Sequence, residues 1–396
     1  MAKINHLSNN LELEGKRVLL RVDFNVPLNN GFVTEASRIK KVLPTIKFLI
    51  NNKAKIIIIS HIGRPKGKII PGLTLKPIAK KLANLLNQNV FFLNETIGLK
   101  VVERSRKISN GEVLLLENLR FHKEEELNTQ NFAKELSKNG DLYINEAFSC
   151  SHRAHASISE ITNHISSFAG KQLSEELKTI KMLTDGPKKP VSCIIGGSKI
   201  STKIGVLTNL IKKMDNVVIV GAMANNFIKY KKYNIGKSIY EKNTENLIAG
   251  IIKQSDTNNC KLVIPGDVIV SKNYNLKGQL KNLEEIDNTD IILDIGNKTI
   301  ETISKIIDNS NTVLWNGPAG YFEVDEFSKG SNKIAKKITE NTKNKSLISI
   351  VGGGDTVAAI NKFNYCGGFT YISTAGGAFL ELLEGKILPG IKGLEI

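Results

Sequence analysis

Short apolar runs that end in polar residues or glycine are the feature that most constrains this fold. The stretch "IIIISHIGRP" (56–65) has four consecutive isoleucines, too few for a helix, and then reaches His61 and Arg64. Such a run is typical of a strand that is buried on both faces. Helix-like segments, such as 73–86 and 131–140, separate the runs. This alternation predicts an α/β fold with parallel sheets.

Length and composition narrow the class further. A chain of 396 residues is longer than one hydrophobic core usually serves, so we expect two domains. No apolar run reaches the ~20 residues that a membrane helix needs, and the first ten residues lack the apolar core of a signal peptide. Four widely spaced cysteines contain no C-x-x-C pair, which disfavours a zinc site or a disulfide framework. We therefore expect a cytoplasmic protein.

The formal net charge of +17 comes from two kinds of residue with different distributions. The lysines are spread along the chain without a block of like charges, which favours solvated faces over a nucleic-acid or membrane surface. The eight arginines all lie at or before Arg153. Guanidinium binds carboxylate and phosphate through a rigid fork, whereas ammonium acts as a point charge. The position of the arginines therefore predicts an anion site in the first part of the chain.

Four predicted strands in the first half end in arginine or histidine. Carboxyl ends of parallel strands share one edge of the sheet, where ligands bind. A metal site at His152 and His155 is disfavoured because no third ligand follows at a suitable spacing. The recurrence predicts a small polyanionic substrate. The polar residues at the four ends are Arg21, Asp23 and Asn25; His61 and Arg64; Arg120 and His122; and Asn145, His152, Arg153 and His155, with Arg38 following the first strand.

Apolar runs in the second half close mainly with glycine before a helix. Glycine lets backbone N–H groups approach a ligand, and the N-terminus of the next helix attracts phosphate. In "VGGGDT", Asp355 is suited to Mg²⁺ and Thr356 opens a helix; Lys199 and Lys203, four residues apart, are expected on one helix face. Neither a P-loop nor a Rossmann fingerprint is present. These turns predict a nucleotide site of another kind.

The two halves are joined by a segment, 170–190, that has apolar residues at helical spacing and ends at an Asp-Gly-Pro sequence. We interpret it as a hinge helix. An arginine-lined domain and a glycine-lined domain together favour phosphoryl transfer between a nucleotide and a small acid, because that chemistry depends on positioning and charge neutralisation. No nucleophile with an adjacent base stands out, which favours direct transfer.

Eight motifs resemble the phosphoglycerate kinase family, in its chain order and from end to end: "RVDFNVP", "SHIGRP", "LLENLRFH", "HRAHAS", "GGSKISTKIGVL", "LWNGPAGYFE", "GGGDT" and "STAGGAFLELLEG". The resemblance implies two doubly wound, Rossmann-like domains joined by a hinge helix. It implies a triose-binding domain at 1–172, with the tail 386–396 packing back on it, and a nucleotide-binding domain at 173–385. The activity implied is reversible, Mg²⁺-dependent transfer between 3-phosphoglycerate with ATP and 1,3-bisphosphoglycerate with ADP in glycolysis, by a cytoplasmic monomer that requires no membrane or nucleic acid.

Position by position, the resemblance implies two sets of site residues. The triose-binding residues are Asp23, Asn25, Arg38, His61, Arg64, Arg120 and Arg153. The catalytic residues are Arg38, Lys199, Lys203 and Gly376. The nucleotide-binding residues are Gly197, Lys203, Gly221, Gly296, Asn316, Pro318, Glu323, Gly353, Gly354, Asp355 and Thr356, and Asp355 is also the Mg²⁺ ligand.

The chain departs from the family pattern at three positions, and two other protein classes remain open. Ala222 and Ala375 stand where glycine is usual, and Glu146 stands where aspartate is usual. We expect these changes to affect efficiency more than identity. A nucleic-acid-binding protein would use the positive charge, although no recognised motif supports it. A nicotinamide-dependent dehydrogenase would suit two doubly wound halves, although the dinucleotide fingerprint is missing.

Overall fold

A computed structural model describes residues 3–396. The chain divides into two compact units: unit 1 runs to Lys178 and includes Ile387–Ile396, and unit 2 comprises Thr179–Lys386. Each unit contains a six-stranded sheet in which every pair of neighbouring strands is parallel. The predicted α/β class with two parallel-sheet domains is therefore confirmed.

The described residues of unit 1 form eight strands: β1 (Arg17–Arg21), β2 (Leu28–Asn29), β3 (Phe32–Val33), β4 (Lys55–Ile59), β5 (Val90–Leu93), β6 (Val113–Leu116), β7 (Leu142–Asn145) and β8 (Ser167–Ala169). The large sheet has the order β5-β6-β4-β1-β7-β8, and β2 pairs with β3 in a small hairpin. Strands β4, β5 and β6 lie on one side of β1, and the later strands β7 and β8 lie on its other side. The strand order therefore reverses between β1 and β7, where ligands bind in open α/β sheets.

The helices of unit 1 are α1 (Ser37–Asn51), α2 (Lys76–Leu86), α3 (Leu99–Lys107), α4 (Lys123–Glu126) and α5 (Gln130–Ser137). Helix α6 (Lys171–Thr184) crosses the boundary between the units, which lies after Lys178. Its predicted apolar positions Leu173, Leu177, Ile180 and Leu183 are all buried.

Unit 2 has nine strands: β9 (Val191–Ile195), β10 (Asn216–Ile219), β11 (Lys261–Val263), β12 (Asp267–Ser271), β13 (Gln279–Asn282), β14 (Ile291–Ile295), β15 (Thr312–Asn316), β16 (Ile348–Val351) and β17 (Tyr371–Ile372). The large sheet has the order β11-β10-β9-β15-β16-β17, so its reversal lies between β9 and β15. Strands β13-β12-β14 form a separate antiparallel sheet.

The helices of unit 2 are α7 (Ile204–Ile211), α8 (Ala224–Tyr230), α9 (Glu245–Thr257), α10 (Asn297–Asp308), α11 (Lys329–Asn344), α12 (Gly354–Lys362) and α13 (Gly377–Leu383). A last short helix, α14 (Pro389–Lys392), belongs to unit 1. Near it, the Gly390 N–H donates to the Ser151 carbonyl at 2.9 Å, and the Asn5 N–H donates to the Leu394 carbonyl at 3.1 Å. Within residues 3–396, no helix has the length and apolar character to cross a membrane.

The core of unit 1 explains why its central strands contain uninterrupted apolar runs. Ile56 and Ile58 pack into the cluster on one face of the sheet, while Ile57 and Ile59 pack into the cluster on the other. All four are fully buried. Because successive side chains of a strand point to opposite faces, a strand covered on both sides needs every position apolar. Burying each isoleucine contributes about 1.5–3 kcal/mol before entropy is counted.

Candidate functional site

The first candidate site lies at the strand reversal of unit 1, where β1 and β7 end side by side. The Asp23 carboxylate, two residues beyond β1, accepts hydrogen bonds from the Arg38 guanidinium and from the Ser149 hydroxyl. Its second oxygen lies 4.0 Å from Nε2 of His61, beyond the end of β4. Three separate segments thus converge on one buried carboxylate.

A second set of contacts places Asn25 and Arg120 around the turn that follows His61. The Gly63 N–H donates to Oδ1 of Asn25 at 2.9 Å, and Nη1 of Arg120 donates to the Gly63 carbonyl at 2.8 Å. Gly63 has a φ of +64°, and a Cβ there would lie 2.8 Å from the Leu73 side chain. Glycine is therefore required for the turn that links these two polar residues.

Arg64 and Arg153 complete the predicted triose set and differ in environment. Arg64 is exposed, and Arg153 is half-buried with its Nε 3.2 Å from Nε2 of His152. Within residues 3–396, no carboxylate lies within salt-bridge distance of either guanidinium. Both therefore keep a positive charge that no acidic side chain neutralises.

Arg21 departs from the expectation. The sequence places it at a strand end with the other arginines, but its side chain is fully buried. Its Nε donates to the Ser157 hydroxyl at 2.8 Å, and its Nη2 lies 3.3 Å from Nδ1 of His61 and 4.0 Å from the Glu125 carboxylate. The prediction that Arg21 lines the ligand edge is wrong, because its side chain is engaged with buried groups behind His61.

The side chains of His122 and Asn145 are engaged in contacts with other parts of unit 1, although the sequence places both at the ends of predicted strands. The His122 ring packs against Phe132 with 5.0 Å between ring centroids, and its Nε2 lies 2.5 Å from the Thr96 hydroxyl. Asn145 is buried and donates to the Gly390 carbonyl at 3.1 Å. The contacts of His122 indicate a packing role, and the hydrogen bond of Asn145 connects it to the C-terminal segment.

The electrostatic environment of the unit 1 site is compatible with an anionic ligand. Burial, together with the charges of Arg21 and Arg120, holds the pKa of His61 well below its usual value. The same causes lower the pKa of His155 to about 3. Burial also lowers the pKa of Arg120; the Glu126 carboxylate, 3.3 Å from its Nε, opposes this shift, and nearby Arg21 and Arg153 add to it. Burial is the largest cause of these shifts, and the arginine charges add a positive potential that an anionic ligand would relieve.

One group in the described residues has the composition of a metal site. Asp23, His61 and Cys150 each offer a ligand atom, and these atoms lie within 4.8 Å of one another. The carboxylate is already paired with Arg38, and the charges of Arg21 and Arg120 act on His61. A cation would have to displace that guanidinium, so the environment favours an anion.

The second candidate site lies at the strand reversal of unit 2. The loops after β9, β10 and β15 touch there through their backbones: the Gly221 N–H donates to the Ala319 carbonyl at 3.1 Å, and the Met223 N–H donates to the Gly197 carbonyl at 2.8 Å. A Cβ on Gly221 would lie 2.9 Å from the Pro318 carbonyl, and its φ is +66°. Glycine is thus needed for the loops to pack, as well as for any ligand to approach.

Lys203 and Asn316 form the polar centre of this site. The Lys203 ammonium donates to Oδ1 of Asn316, whose Nδ2 donates to the Gly352 carbonyl at 2.8 Å. Burial lowers the pKa of Lys203, although Cys193 and Asp355 oppose the shift. A cation without a strong carboxylate partner at this position is suited to bind phosphate.

Helix α12 begins at the edge of the same loops. Gly353 precedes it with a φ of +97°, and the Thr356 hydroxyl accepts from the Gly317 N–H at 2.7 Å. Asp355 lies in the first turn and is exposed. Backbone N–H groups of a helix N-terminus attract phosphate, and an exposed carboxylate beside it can hold a divalent cation.

A cavity of about 350 Å³ adjoins these loops. Five of the predicted nucleotide residues line it: Gly197, Gly221, Pro318, Glu323 and Asp355. Most of the other lining residues are apolar, among them Ile228, Ile239, Val268, Ile292 and Leu293. The volume is at the lower end of the range for small-molecule sites, which are mainly apolar with a few placed polar groups.

Three further predicted residues have contacts of other kinds. Lys199 is exposed, and the structure contradicts the expected shared helix face, because α7 begins only at Ile204 and Lys203 lies in a preceding 3₁₀ turn. Gly296 packs against the buried Asp267, where a Cβ would overlap the carboxylate. Gly376 precedes α13 with a φ of +56° and open space beside its Cα.

Known proteins resemble this chain over nearly its whole length. A sequence profile described as "Phosphoglycerate kinase" matches residues 8–386. Phosphoglycerate kinase of Wolbachia sp. subsp. Brugia malayi is 47% identical over 98% of this chain and 97% of its own length, and that of Bartonella bacilliformis is 45% identical over 98% and 97%. The solved structure of phosphoglycerate kinase from Coxiella burnetii is 39% identical, covers 97% of both chains and has a TM-score of 0.90.

The chain belongs to the phosphoglycerate kinase family. The predicted family, enzyme class and glycolytic function are confirmed by these matches. A more distant phosphoglycerate kinase structure, from Pyrococcus horikoshii, still has a TM-score of 0.81 at 28% identity over 98% of both chains. Both similarities span the two units, so family membership rests on the whole chain rather than on the site motifs alone.

The three departures from the family pattern have distinct surroundings. Ala222 lines the cavity, whereas Ala375 is buried and its N–H donates to the Ser373 hydroxyl at 3.3 Å. Glu146 is buried and accepts from the Gln172 and Leu173 N–H groups at the start of α6, each at 3.0 Å. Burial raises the pKa of Glu146. The acidic residue thus caps the first turn of the helix that crosses the unit boundary.

Residues that sequence reasoning missed form much of the cavity wall. Strands β12 and β14 contribute Val268, Ile292 and Leu293, and helix α8 contributes Asn225 and Ile228. Nothing in their local pattern distinguishes them from ordinary core positions. The one signal in the sequence is the pair of asparagines, Asn225 and Asn226, within the otherwise apolar stretch "AMANNF".

Proposed function

We propose that the chain catalyses the reversible, direct transfer of a phosphoryl group between 1,3-bisphosphoglycerate and ADP, and between ATP and 3-phosphoglycerate in the other direction. One observation carries this proposal: the two strand reversals hold complementary parts of such a reaction. The reversal in unit 1 holds arginines with unneutralised charge, and that in unit 2 adjoins a glycine-walled cavity beside a desolvated lysine. Unit 1 would bind the triose, and unit 2 the nucleotide.

The unit 1 residues divide into anion-binding and positioning groups in this proposal. Arg64, Arg120 and Arg153 would bind the phosphate and carboxylate of 3-phosphoglycerate, because guanidinium recognises both groups through paired hydrogen bonds. Asp23 and Asn25 would accept from the substrate hydroxyl, which an arginine cannot do. His61, kept neutral by its surroundings, can donate or accept a hydrogen bond without adding charge. The set of triose-binding residues is completed by Arg38.

Arg38 would act on the transferred group itself. Its ion pair with Asp23 holds the guanidinium in place before substrate arrives. In-line transfer leaves negative charge on three equatorial oxygens that belong to neither substrate. A cation that is already oriented stabilises this state more than either ground state, which accelerates the reaction.

The unit 2 residues would hold the nucleotide and its phosphates. Lys203 would bind the phosphates beside the α12 N-terminus, where Gly353, Gly354 and Thr356 present backbone groups. Exposed Lys199 and the backbone of Gly376 would assist at the transferred phosphoryl group. Glu323 would contact the ribose. The remaining positions proposed for the nucleotide pocket are Gly197, Gly221, Gly296, Asn316 and Pro318.

Asp355 is the residue proposed to hold Mg²⁺. Its carboxylate is exposed in the first turn of α12, and no hydrogen bond or ion pair occupies it within the described residues. Mg²⁺ prefers one or two carboxylates together with water and substrate phosphates, which fits such a group. When bound, the ion would neutralise charge on the nucleotide phosphates. The protein would contribute orientation through the adjoining glycine loops.

Direct transfer requires the two substrates to meet, although their residues belong to different units. Helix α6 contains the boundary between the units, and we assign it the role of hinge. Substrate closure of this kind excludes water that would otherwise hydrolyse the phosphoryl group. We further propose a monomer in the cytoplasm, supported by the four cysteines, all of which are free thiols.

A coupled assay for ADP formation from Mg-ATP and 3-phosphoglycerate tests the proposed function. We expect turnover that depends on both substrates and stops when Mg²⁺ is chelated. Folded protein without activity would contradict the proposal. A steep fall in affinity for nucleic acid as salt rises, in a protein that is inactive in this assay, would instead favour the nucleic-acid-binding class.

A further inference from the structure

The buried side chain of Arg21 determines which ring nitrogen of His61 carries a proton. Arg21 is fully buried at the end of β1, and His61 is 3% exposed beyond the end of β4. Nη2 of Arg21 lies 3.3 Å from Nδ1 of His61. A guanidinium has N–H donors and no acceptor. Nδ1 of His61 must therefore accept this hydrogen bond, which requires that it carry no proton.

The other ring nitrogen of His61 consequently holds the proton. In a neutral imidazole, the hydrogen bond made by one nitrogen sets whether the other is protonated, so the proton lies on Nε2. A half-turn of the ring would place the Cδ2–H group against the guanidinium, and no acceptor would remain there. Burial, followed by the charge of Arg21, holds the pKa of His61 well below its usual value, so the ring does not gain a second proton. The charged and titratable groups that act on the ring are Arg21, Arg38, Arg120 and His155, with the Asp23 carboxylate 4.0 Å from Nε2.

Arg21 is held in this position by a chain of buried hydrogen bonds. Its Nε donates to the Ser157 hydroxyl at 2.8 Å, and its Nη1 donates to the Val22 carbonyl. The Ser157 hydroxyl donates in turn to Oε1 of Glu125 at 2.6 Å, and the Ser157 N–H donates to Oε2 at 2.9 Å. Satisfied buried networks rigidify the groups that they connect. The direction of the bond to His61 is therefore set by segments far from it in the chain.

Nε2 of His61 lies on the side of the ring that faces Asp23. It has no hydrogen-bond partner within residues 3–396, yet it is not among the unpartnered polar atoms there that the protein fully encloses. Asp23, 4.0 Å away, also accepts from Arg38, which we assign to the transferred phosphoryl group. Nε2 is therefore the ring atom of His61 that is available to a ligand at the triose site.

We propose that Arg21 is a positioning residue for 3-phosphoglycerate: it holds His61 in the tautomer with the proton on Nε2, so that His61 donates a hydrogen bond to the substrate. This inference rests on the proposed function and adds to it the direction of one hydrogen bond. The opposite tautomer would turn a lone pair toward an anionic substrate oxygen, and two acceptors would face each other. Hydrogen bonds to charged groups are stronger than neutral ones, so the choice of tautomer affects substrate affinity.

Arg17, at the other end of β1, supplies a matched control. Its Nη2 and Nε donate to the Asp141 carboxylate at 2.6 Å and 3.2 Å. Arg17→Met and Arg21→Met each remove one guanidinium from the same strand, but Arg21→Met also removes the donor to His61. Ser157→Ala is a milder change, because it keeps the charge of Arg21 and removes the hydroxyl that accepts from its Nε.

Nitrogen NMR of isotopically labelled histidine measures the tautomer directly, with the His61 signals identified by their loss in His61→Gln. We expect the parent to carry a proton on Nε2 and none on Nδ1. Arg21→Met should shift both ring nitrogens toward the average of the two tautomers, and Arg17→Met should leave them unchanged. Ser157→Ala should shift them in the same direction by a smaller amount, which keeps the test decisive if Arg21→Met does not fold.

Steady-state kinetics measures the consequence for the substrate. The KM for 3-phosphoglycerate in Arg21→Met should rise roughly 10-fold, the effect of one hydrogen bond to a charged group, while kcat changes by less than about 3-fold. Arg17→Met should keep both constants.

A parent with the proton on Nδ1 would overturn the inference, as would an Arg21→Met variant that keeps either the tautomer or the KM of the parent. A parent that shows the expected tautomer but has no kinase activity would contradict the proposed function and leave the action of Arg21 on His61 intact.

Discussion

Units 1 and 2 place their candidate sites at the same point of similar sheets but form them from different groups. In each, the site lies where the strand order reverses, between β1 and β7 or between β9 and β15. All eight arginines and all six histidines of the chain belong to unit 1. Unit 2 instead uses glycine loops, a helix N-terminus and lysine. The sheet therefore provides the position, and the loops that follow the strands provide the chemistry.

The difference also affects how each site is held together. In unit 1, long side chains are oriented by other side chains, as Arg38 is by Asp23 and Arg21 is by Ser157. In unit 2, backbone contacts between glycine loops create the geometry, and few side chains intervene. Unit 1 should therefore respond mainly to changes in charge and side-chain geometry. Unit 2 should also respond to changes in backbone conformation, in addition to the loss of the carboxylate proposed to hold its metal. Substitutions and pH changes directed at each unit test this contrast.

The largest effect is expected from the one carboxylate proposed to hold the metal in unit 2. Asp355→Asn removes the charge while keeping size, so turnover should fall by roughly 10²–10³-fold because metal neutralisation of phosphate charge contributes several kcal/mol. Steady-state kinetics at fixed Mg²⁺ measures it, with circular dichroism to establish that the variant is folded. Turnover close to the parent value would refute the metal role.

The next effect concerns guanidinium geometry in unit 1. Arg38→Lys keeps the charge but loses the fork, so kcat should fall by roughly 10²-fold, as for loss of one preorganised donor. The KM for 3-phosphoglycerate should change far less, because Arg64, Arg120 and Arg153 remain. Arg106→Lys, on the exposed face of α3, is the matched control and should leave both constants unchanged. A kcat within a few-fold of the parent would show that charge alone suffices.

A third effect should have opposite signs in the two units as pH falls from 7 to 5. His61 and His155 have lowered pKa values in the folded state, so the unfolded chain binds protons more readily and unit 1 loses stability below about pH 6.5. Burial raises the pKa of Asp294 in unit 2 to about 7, so folded unit 2 binds a proton more readily and gains stability over the same range. Each change should be on the order of 1–3 kcal/mol.

Urea unfolding at the two pH values measures both responses separately. Trp315, the one tryptophan of the chain, is buried in unit 2 and reports its unfolding by fluorescence. Labelling of Cys150, the one cysteine of unit 1, reports exposure there. Asp294→Asn should abolish the pH response of unit 2, and His155→Gln should reduce the pH response of unit 1. In unit 1, the raised pKa values of Glu125 and Glu146 offset part of the loss of stability that the histidines cause. If the urea midpoints of the two units move in the same direction between pH 7 and pH 5, the assignment of these responses to the histidines of unit 1 and to Asp294 of unit 2 is contradicted.

The smallest effect concerns two neighbouring glycines in unit 2. Gly353→Ala should lower the free energy of unfolding by about 1–3 kcal/mol, because its φ is +97° and a Cβ would lie 3.0 Å from Nδ2 of Asn316. Gly354→Ala, at the first position of α12 with open space around it, should be neutral or stabilising by about 0.4–1 kcal/mol. Trp315 fluorescence without nucleotide measures both. Equal effects would show that backbone strain does not distinguish the two positions.

Sequence reasoning predicted the large sheets well but left gaps at their edges. The buried runs of β1 and β4 are apolar at every interior position, so their patterns indicate strands covered on both faces. Strands β5 and β8, at the edges of the sheet of unit 1, were not predicted. The three-stranded sheet β13-β12-β14 was also missed, although it forms one wall of the cavity. Short edge strands and half-exposed strands bury too little surface to leave a clear pattern.

Candidate site residues show a similar division. Charged residues that follow apolar strands could be located from order along the chain, because parallel strands bring their ends to one edge. The direction of each side chain could not. Arg21 points into the protein because it donates to Ser157. Ser157 is 136 residues away along the chain, so no local sequence pattern predicts this contact. The Lys203 ammonium likewise donates to Asn316, which lies 113 residues further along the chain.

By itself, the sequence determined the family, the two parallel sheets and the segments that carry the site, because burial and turn geometry act on residues that are near in the chain. Tertiary structure alone decided that Arg21 lies behind the anion site, that Lys199 and Lys203 do not share a helix, and that the Lys203 ammonium pairs with Asn316. These outcomes depend on hydrogen-bond partners and neighbouring charges from distant segments. Their energies exist only once the fold has brought those segments together.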